Sequence, residues 1–585
     1  MQSAVRRIVM KRIYGILTSA GLAGVLAAFY FVTVNAAPVS GTATVSGTVD
    51  APKPFKAAQV YFRNRSKRML YMVYTAGGRF QAMNLLPGEY EVSVKTKGLQ
   101  NLESNMTNVT LTAGQKSTVK LSMHDAVVNP KSGVQYLTFG EIYPPGPGQD
   151  FIRKTCVNCH GQNFIPLHHW NEKEWNAALD LMMGFGKKVD RGVMIQAADV
   201  KPGDREAAVK YLTEHFGPNS LTRAVKVEKD MPVDEAKLAK AIYIEYYLSA
   251  DAPGQGVNSP EYSKMGPTRG KRMGQDVILD PDGIAWVTDR GIPTRLVRVN
   301  PGTGQQKDFL MPNPKAQVHD LNIDKNGLVW VPENEGFPVE SPKLHAFDRK
   351  SEKWVQAYDF DPTHVIPLDV QKHPHSVEFD SSNNVWVDFI RGNGLAKWDS
   401  ETKKMSTWVL PMSPNSYPYG MTIDKNDGIW MALEHQGTLA KFDQKTQKFT
   451  YPVPTTPYQI RRLGLGTDGL TIWSGAFGAG TLVKLDPKTG KTTQWKIPSQ
   501  VSEPYDFMIQ GKSVWISDGG QGGALIRFDT DNQSFTFFPT PQVTDIPTIW
   551  ITKEGSIWYC PRTGAEPGVG VLHPDMTKIT SLAGN

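Results

Sequence analysis

Seven tryptophans, Trp286, Trp330, Trp386, Trp430, Trp473, Trp515 and Trp558, recur in matched surroundings through the second half of the chain, at intervals of 42 to 44 residues with one of 56. Ahead of most stands a turn of Asp, Asn and Gly: Asp280-Pro281-Asp282-Gly283, Asp324-Lys325-Asn326-Gly327 and Asp424-Lys425-Asn426-Asp427-Gly428. Beyond each comes a further strand-like run and often a second turn, as in Phe442-Asp443-Gln444-Lys445-Thr446 and Leu485-Asp486-Pro487-Lys488-Thr489-Gly490. A unit this short cannot bury its apolar face alone and must stack on its neighbours. A period of about 43 residues with several short strands per unit predicts a β-propeller. Seven repeats predict seven blades over residues 271–585, and the long interval predicts an enlarged loop between Glu335 and His364.

In an up-and-down blade the start of the first strand and the end of the second lie on one face. The first-strand starts are Gln275, His319, His375, Tyr419, Arg462, Tyr505 and Thr548. The second-strand ends are Asp289, Glu333, Glu335, Asp388, Arg391, Glu434, His435, Asp518 and Arg562. Within this set His319, Glu333, His375, Glu434 and His435 form the candidate catalytic rim, because paired imidazoles and carboxylates hold a divalent cation such as Mg²⁺ or serve as general acid and base. The plainer reading of each residue alone is a polar side chain in a wet central channel.

A second motif carries different chemistry. Cys156-Val157-Asn158-Cys159-His160 is the C-x-x-C-H signature of covalent c-type haem attachment. Cys156 and Cys159 are the expected thioether positions and His160 the axial iron ligand. A zinc site would require a second Cys/His pair, and the remaining cysteine, Cys560, is remote. With three cysteines in all, no disulfide framework is available and Cys560 is left unpaired.

The N-terminus agrees with that chemistry. Arg6, Arg7, Lys11 and Arg12 precede an apolar run from Ile13 to Val34, and Val34-Asn35-Ala36 is a small-residue cleavage site. Residues 1–36 therefore read as a signal peptide or, if retained, a membrane anchor, with the remainder exported to the periplasm or its equivalent. The formal net charge is +7, of which those four residues supply four, leaving +3. Nothing in that balance calls for nucleic acid, and membrane contact is expected only through an uncleaved leader. No dinucleotide-binding glycine fingerprint or phosphate loop is present.

The overall expectation is a multidomain, mainly β protein: a β-sandwich, a small all-α cytochrome c domain and a seven-bladed propeller. Residues 38–124 alternate apolar and polar positions in short runs, with turns at Gly77-Gly78 and Pro87-Gly88. Residues 125–148 read as a linker ending in Tyr143-Pro144-Pro145-Gly146-Pro147-Gly148. Residues 149–220 hold the haem motif and two expected helices, Asn171 to Met183 and Pro202 to Phe216. Residues 221–270 are a connector in which Ile242-Tyr243-Ile244-Glu245-Tyr246-Tyr247-Leu248 reads as an outer strand packed on the domain that follows.

Three resemblances add to this reading. The run Gly78-Arg79-Phe80 with Asn84-Leu85-Leu86-Pro87-Gly88-Glu89-Tyr90-Glu91-Val92 resembles the carboxypeptidase regulatory-like β-sandwich, which implies a spacer or binding module. The repeats DPDGIAW, DKNGLVW and DKNDGIW resemble the virginiamycin B lyase (streptogramin lyase) propeller family. That family implies opening of a cyclic depsipeptide by elimination, with a magnesium ion and a histidine base. In its pattern a glutamate stands two residues before a strand-opening histidine and a second glutamate follows the next strand. His319 and Glu333 match, but Gln317 replaces the first glutamate; His375 has His373 before it and Phe389 where the later carboxylate belongs. The whole arrangement resembles an exported bacterial cytochrome c fusion family. There a tryptophan seven residues before a methionine follows the haem motif, as Trp175 and Met182 do. This implies Met182 as second axial ligand. Met183 and Met194 compete with it, and His168 or His169 would give bis-histidine iron.

Two functions follow. One is haem-based electron transfer with a protein electron donor or acceptor, the propeller binding or oxidising a small molecule or docking a redox partner. That would make the chain an oxidoreductase. The other is a metal-dependent lyase, or a non-catalytic binding propeller, with an accessory haem domain.

Overall fold

The structure, a computed structural model, describes residues 38–582 apart from 102–105, 127–133, 139, 158–160, 162–163, 184–199, 255–271, 337–341, 367–371, 412–415, 452–458 and 520–521, and apart from the side chains of Leu181, Met183 and Glu335. The leader, Cys159, His160 and Met194 therefore lie outside the described residues, as do the side chains of Met183 and Glu335.

Alternation in the first region produces strands with one buried face. Along Gly88–Thr96, Tyr90, Val92 and Val94 point inward while Glu91 and Ser93 face outward. One sheet orders Arg79–Leu85, Ala43–Asp50 and Lys116–Ser122. The facing sheet pairs Met69–Tyr74, Gln59–Asn64, Gly88–Thr96 and Thr107–Leu111. Gly77 and Gly78 turn the chain with φ of +54° and +73°, a region that suits glycine.

Two helices follow, α1 (Glu172–Met183) and α2 (Asp204–His215). A reciprocal capping box starts α1: Asn171 Oδ1 accepts from the Glu174 N–H at 3.0 Å, and Glu174 Oε2 accepts from the Asn171 N–H at 2.8 Å. The helices bury Trp175, Leu179, Tyr211 and Leu212 together with Ile142, Tyr143 and Phe216. The segment expected as a linker is thus only partly one. Gln135–Leu137 pairs in parallel with Arg223–Val225, and Ile142 and Tyr143 belong to the helical core. The Pro/Gly run after Tyr143 is poor in the side chains and N–H groups that regular structure requires.

From Gly274 the chain forms six consecutive antiparallel meanders, spanning 274–310, 316–359, 373–409, 418–450, 464–496 and 504–539. The fold is mainly β and propeller-like. The region expected as one enlarged loop mostly supplies the strands Lys343–Asp348 and Lys353–Asp359 of the second meander. The turn chemistry has a specific purpose. In four units an Asp six residues before the Trp accepts its indole N–H: Asp280 from Trp286 at 2.9 Å, Asp324 from Trp330 at 3.1 Å, Asp380 from Trp386 at 2.9 Å and Asp424 from Trp430 at 2.8 Å. The other carboxylate oxygen closes the turn, as Asp280 Oδ1 does with the Asp282 and Ile284 N–H groups at 3.0 Å each.

The last three strands, Ile549–Ile551, Ile557–Tyr559 and Gly568–His573, take their fourth from far upstream. Ile242–Tyr247 pairs with Gly568–His573 on one side and with Met69–Tyr74 of the sandwich on the other. The expected outer strand is therefore also the seam: one ten-stranded sheet runs from the last meander into the sandwich. Tyr246 stacks on Trp558 at 6.1 Å, and Tyr243 meets Tyr559 edge-on at 5.9 Å. Glu245 is buried among them, accepting from Tyr559 Oη at 2.8 Å, Tyr247 Oη at 3.0 Å and Gln542 Nε2 at 3.1 Å. The described residues consequently form one compact unit.

Candidate functional site

In five of the meanders the first strand is interrupted near the centre. Register shifts fall between Gly274 and Asp276, Pro374 and Val377, Pro418 and Gly420, and Pro504 and Phe507. In the second meander the strand breaks outright across His319–Leu321. Such bulges re-aim side chains, and here they turn Gln275, His319, His375, Tyr419 and Tyr505 toward one another. These residues are buried rather than spread on a wet rim; His319 and His375 are 3% and 1% exposed.

At the centre, Gln275 Nε2 lies 2.9 Å from His319 Nε2, and Arg290 Nη1 donates to Gln275 Oε1 at 3.2 Å. Arg290 thereby orients the Gln275 amide with its NH₂ toward the imidazole. That assigns the His319 proton to Nδ1, which donates to Asp320 Oδ1 at 2.6 Å. Arg462 clasps the same carboxylate through Nη2 at 2.6 Å and Nη1 at 3.0 Å. The His319 and His375 rings stand 3.8 Å apart, and His375 is 4.5 Å from Tyr419, whose hydroxyl bonds that of Tyr505. Burial, then the guanidiniums of Arg462, Arg290 and Arg562, hold His319 well below the usual imidazole range. Burial and the neighbouring His319 do the same for His375. Both are neutral bases near pH 7. His375 Nε2 is buried with no hydrogen-bond partner among the described residues. One ligand atom each from His319, Asp320 and His375 lie within 4.8 Å of one another, the one such group among the described residues.

Below this layer a cavity of about 80 Å³ is lined by Asp276, Asp320, Glu378, Asp506 and Arg462. Asp276 and Asp506 link adjacent meanders by accepting the Leu321 N–H at 3.1 Å and the Ile549 N–H at 2.9 Å. Burial pushes Glu378 up to about 8 and raises Asp276 and Asp506.

The five expected rim residues resolve into three places. His319 and His375 share the axis. Glu333 faces away, accepting from His345 Nε2 at 2.9 Å and the Lys343 N–H at 2.8 Å. Glu434 pairs with Arg461 Nε at 3.0 Å, and that guanidinium lies over Phe477 at 3.5 Å and Tyr505 at 4.7 Å. His435, on the short helical turn Glu434–Gln436, stacks on Tyr417 at 4.5 Å. The second-strand acids are chiefly acceptors for backbone: Asp289 takes the Met273 N–H at 2.8 Å, Asp388 the Ser376 N–H at 2.7 Å and Asp518 the Glu503 N–H at 2.8 Å. Asp320 was missed by sequence reasoning. Aligning the repeats one residue past each strand start, where Asp276, Asp320 and Asp506 coincide, would have found it.

In the helical region Cys156 ends a short π-helical turn, and both it and Met182 pack against the cluster of Trp175, Leu179 and Phe216. Burial pushes the Cys156 thiol up to about 12. His168 Nδ1 is 2.7 Å from the Phe164 carbonyl, and His169 bonds Ser220 Oγ at 3.1 Å and Thr222 Oγ1 at 2.9 Å. The propeller-like body reaches this region. Val501 packs on the helical cluster, and the Gly161 backbone lies so close to the Glu503 carboxylate that an added Cβ would sit 2.2 Å from Oε2.

Among solved structures the chain is similar to a streptogramin B lyase, with 18% identity over 57% of this chain and 97% of that one and a TM-score of 0.46. It is also similar to virginiamycin B lyase from Staphylococcus aureus, with 19% identity over 51% of this chain and 94% of that one and a TM-score of 0.44. A third likeness is to U3-55K, with 9% identity over 52% and 95% and a TM-score of 0.41. No family model and no curated protein matches the chain.

Proposed function

We propose that the chain is an exported c-type haem protein of electron transfer whose seven-bladed propeller binds a small molecule or docks a redox partner. The observation that carries this reading is the C-x-x-C-H motif at 156–160, together with the packing of Cys156 and Met182 on one apolar cluster. A thiol and a soft thioether facing one aromatic-lined cluster suit a porphyrin held by thioether bonds. Such a group supplies a one-electron couple, with methionine ligation raising its potential. The chain's own residues would exclude water from it through Trp175, Leu179 and Phe216, and set it beside the Val501–Tyr505 segment that leads to the buried axis.

The test is the full chain made in a bacterium that matures c-type cytochromes. Wild type retains haem through acid–acetone extraction and shows a two-thioether haemochrome spectrum; Cys156→Ala shows a one-thioether spectrum. Met182→Ala removes the methionine-to-iron charge-transfer band, whereas Met183→Ala and Met194→Ala keep it. A wild-type protein with no covalent haem would sink the reading.

A second reading, a metal-dependent lyase of the virginiamycin B lyase type, rests on the convergence of His319, Asp320 and His375 and on the unpartnered His375 Nε2. A cation there would have to compete with Arg462 for Asp320. In this reading turnover ignores haem redox state and is lost with chelators or in His319→Ala.

A further inference from the structure

The Asp clamp on the tryptophans is present in the first four units and missing from the last three, and a groove stands beside the last two. Six residues before Trp515 and Trp558 the chain has Ile509 and Thr552, and neither indole N–H meets an acceptor among the described residues. Both rings border a groove of about 400 Å³ at the turn end of the meanders. Its walls come from the hairpins around Gln510 and Glu554, from the short helix Glu235–Leu238 with Lys240, and from the C-terminal stretch between His573 and Leu582.

The lining is rich in donors and poor in acceptors. Lys237, Lys240, Arg527 and Lys578 face it, against Glu554 and Asp575. Asp575 is engaged in capping, its Oδ1 accepting from the Thr577 N–H at 3.2 Å and Thr577 Oγ1 at 2.6 Å. Lys237 is held by Asp234 at 3.1 Å. Lys240 and Lys578 are exposed, and Arg527, which senses the Asp529 carboxylate, lies over the Trp515 and Phe538 rings at 5.9 Å each. The buried His573 also lines it, bonded through Nδ1 to Ser556 Oγ at 2.7 Å. A concave site of this size at a seam between structural regions suits a ligand, and four cationic side chains against two carboxylates favour one that brings acceptors.

We infer that this groove binds a small organic anion whose carboxylate or phosphate oxygens are met by Lys240, Lys578 and Arg527 and by the Trp515 and Trp558 indole N–H groups. The site is separate from the buried axis and independent of haem. Because Lys240 leads directly into the shared strand Ile242–Tyr247, occupancy braces the joint between sandwich and propeller-like body.

The experiment uses the full chain, titrated with citrate and separately with inorganic phosphate at constant ionic strength, followed by calorimetry, tryptophan fluorescence and Tm. Saturable 1:1 binding with a rise in Tm is expected. The double variant Lys240→Glu/Lys578→Glu should weaken it about tenfold or more, Arg527→Gln should weaken it too, and Lys488→Glu, on an exposed turn of the fifth meander, should leave it unchanged. Stronger citrate binding identifies a carboxylate ligand and stronger phosphate binding a phosphorylated one. The inference is overturned if neither anion binds more than chloride does, or if the double variant binds as wild type does.

Discussion

Asp388 shows how the buried axis ties charge to stability. The strand Val385–Arg391 carries it into the interior, where it is 0% exposed; Oδ1 accepts the Ser376 N–H, while Oδ2 has no partner among the described residues. Burial, reinforced by Asp320, pushes its carboxyl up to about 8. Between the ordinary carboxylate range and that value the folded protein holds a proton that the unfolded chain has released. Asp388 therefore penalises folding increasingly as pH rises from about 4 to about 8. His319 and His375 act on the other side: kept neutral in the fold, they lose stability as pH falls below the usual imidazole range. Asp388→Asn should gain stability relative to wild type between pH 5 and pH 8, by on the order of 1–3 kcal/mol in chemical denaturation. A difference that stays constant with pH would contradict this. That His319 and His375 share an interior was readable from their places in the repeat. Their partner Asp320 and the divergence of Glu333 and Glu434 were not, because position along a strand gives the face but neither the distance from the axis nor the effect of a bulge.

At the scale of the element, the repeated turn is a clamp rather than a mere reversal. Asp424 holds the Trp430 indole, the Asn426 and Gly428 N–H groups at 2.9 and 3.0 Å and Lys441 Nζ at 2.9 Å. Its removal orphans several donors at once. Asp424→Ala should cost about 2–4 kcal/mol by thermal or chemical denaturation. Asp486→Ala, in an exposed turn bonded to Lys488 and Thr489, should cost under about 1 kcal/mol. Equal costs would mean that the indole bond adds nothing. The period, the turns and the outer strand were all legible because each is local chemistry. The strand at Gln135–Leu137 was not, since its three residues pair only with Arg223–Val225, far along the chain.

At the scale of the molecule, the decisive feature is that Ile242–Tyr247 belongs to two regions. Residues 272–585 alone lack the fourth strand of the final meander and expose the apolar edge that Tyr243 and Tyr246 cover. Expressed alone, this fragment should aggregate, whereas a chain from Glu235 onward should recover native-like β circular dichroism and a monomeric elution volume. A well-folded 272–585 fragment would show that the seam is dispensable. Sequence reasoning found the strand and its onward packing. Its second partner in the sandwich has no local signature, because Met69–Tyr74 is buried at every position and would suit any apolar neighbour.

The shared strand also sets an order of events. Synthesis or export from the N-terminal side delivers Met69–Tyr74 first, Ile242–Tyr247 next and Gly568–His573 last. The sandwich can therefore complete itself and hold Ile242–Tyr247 as an open template while some three hundred further residues emerge. Gly568–His573 then docks onto the edge that Ile242–Tyr247 offers. A chain that stops before Gly568 leaves that template as an open strand edge, ready to pair with another chain.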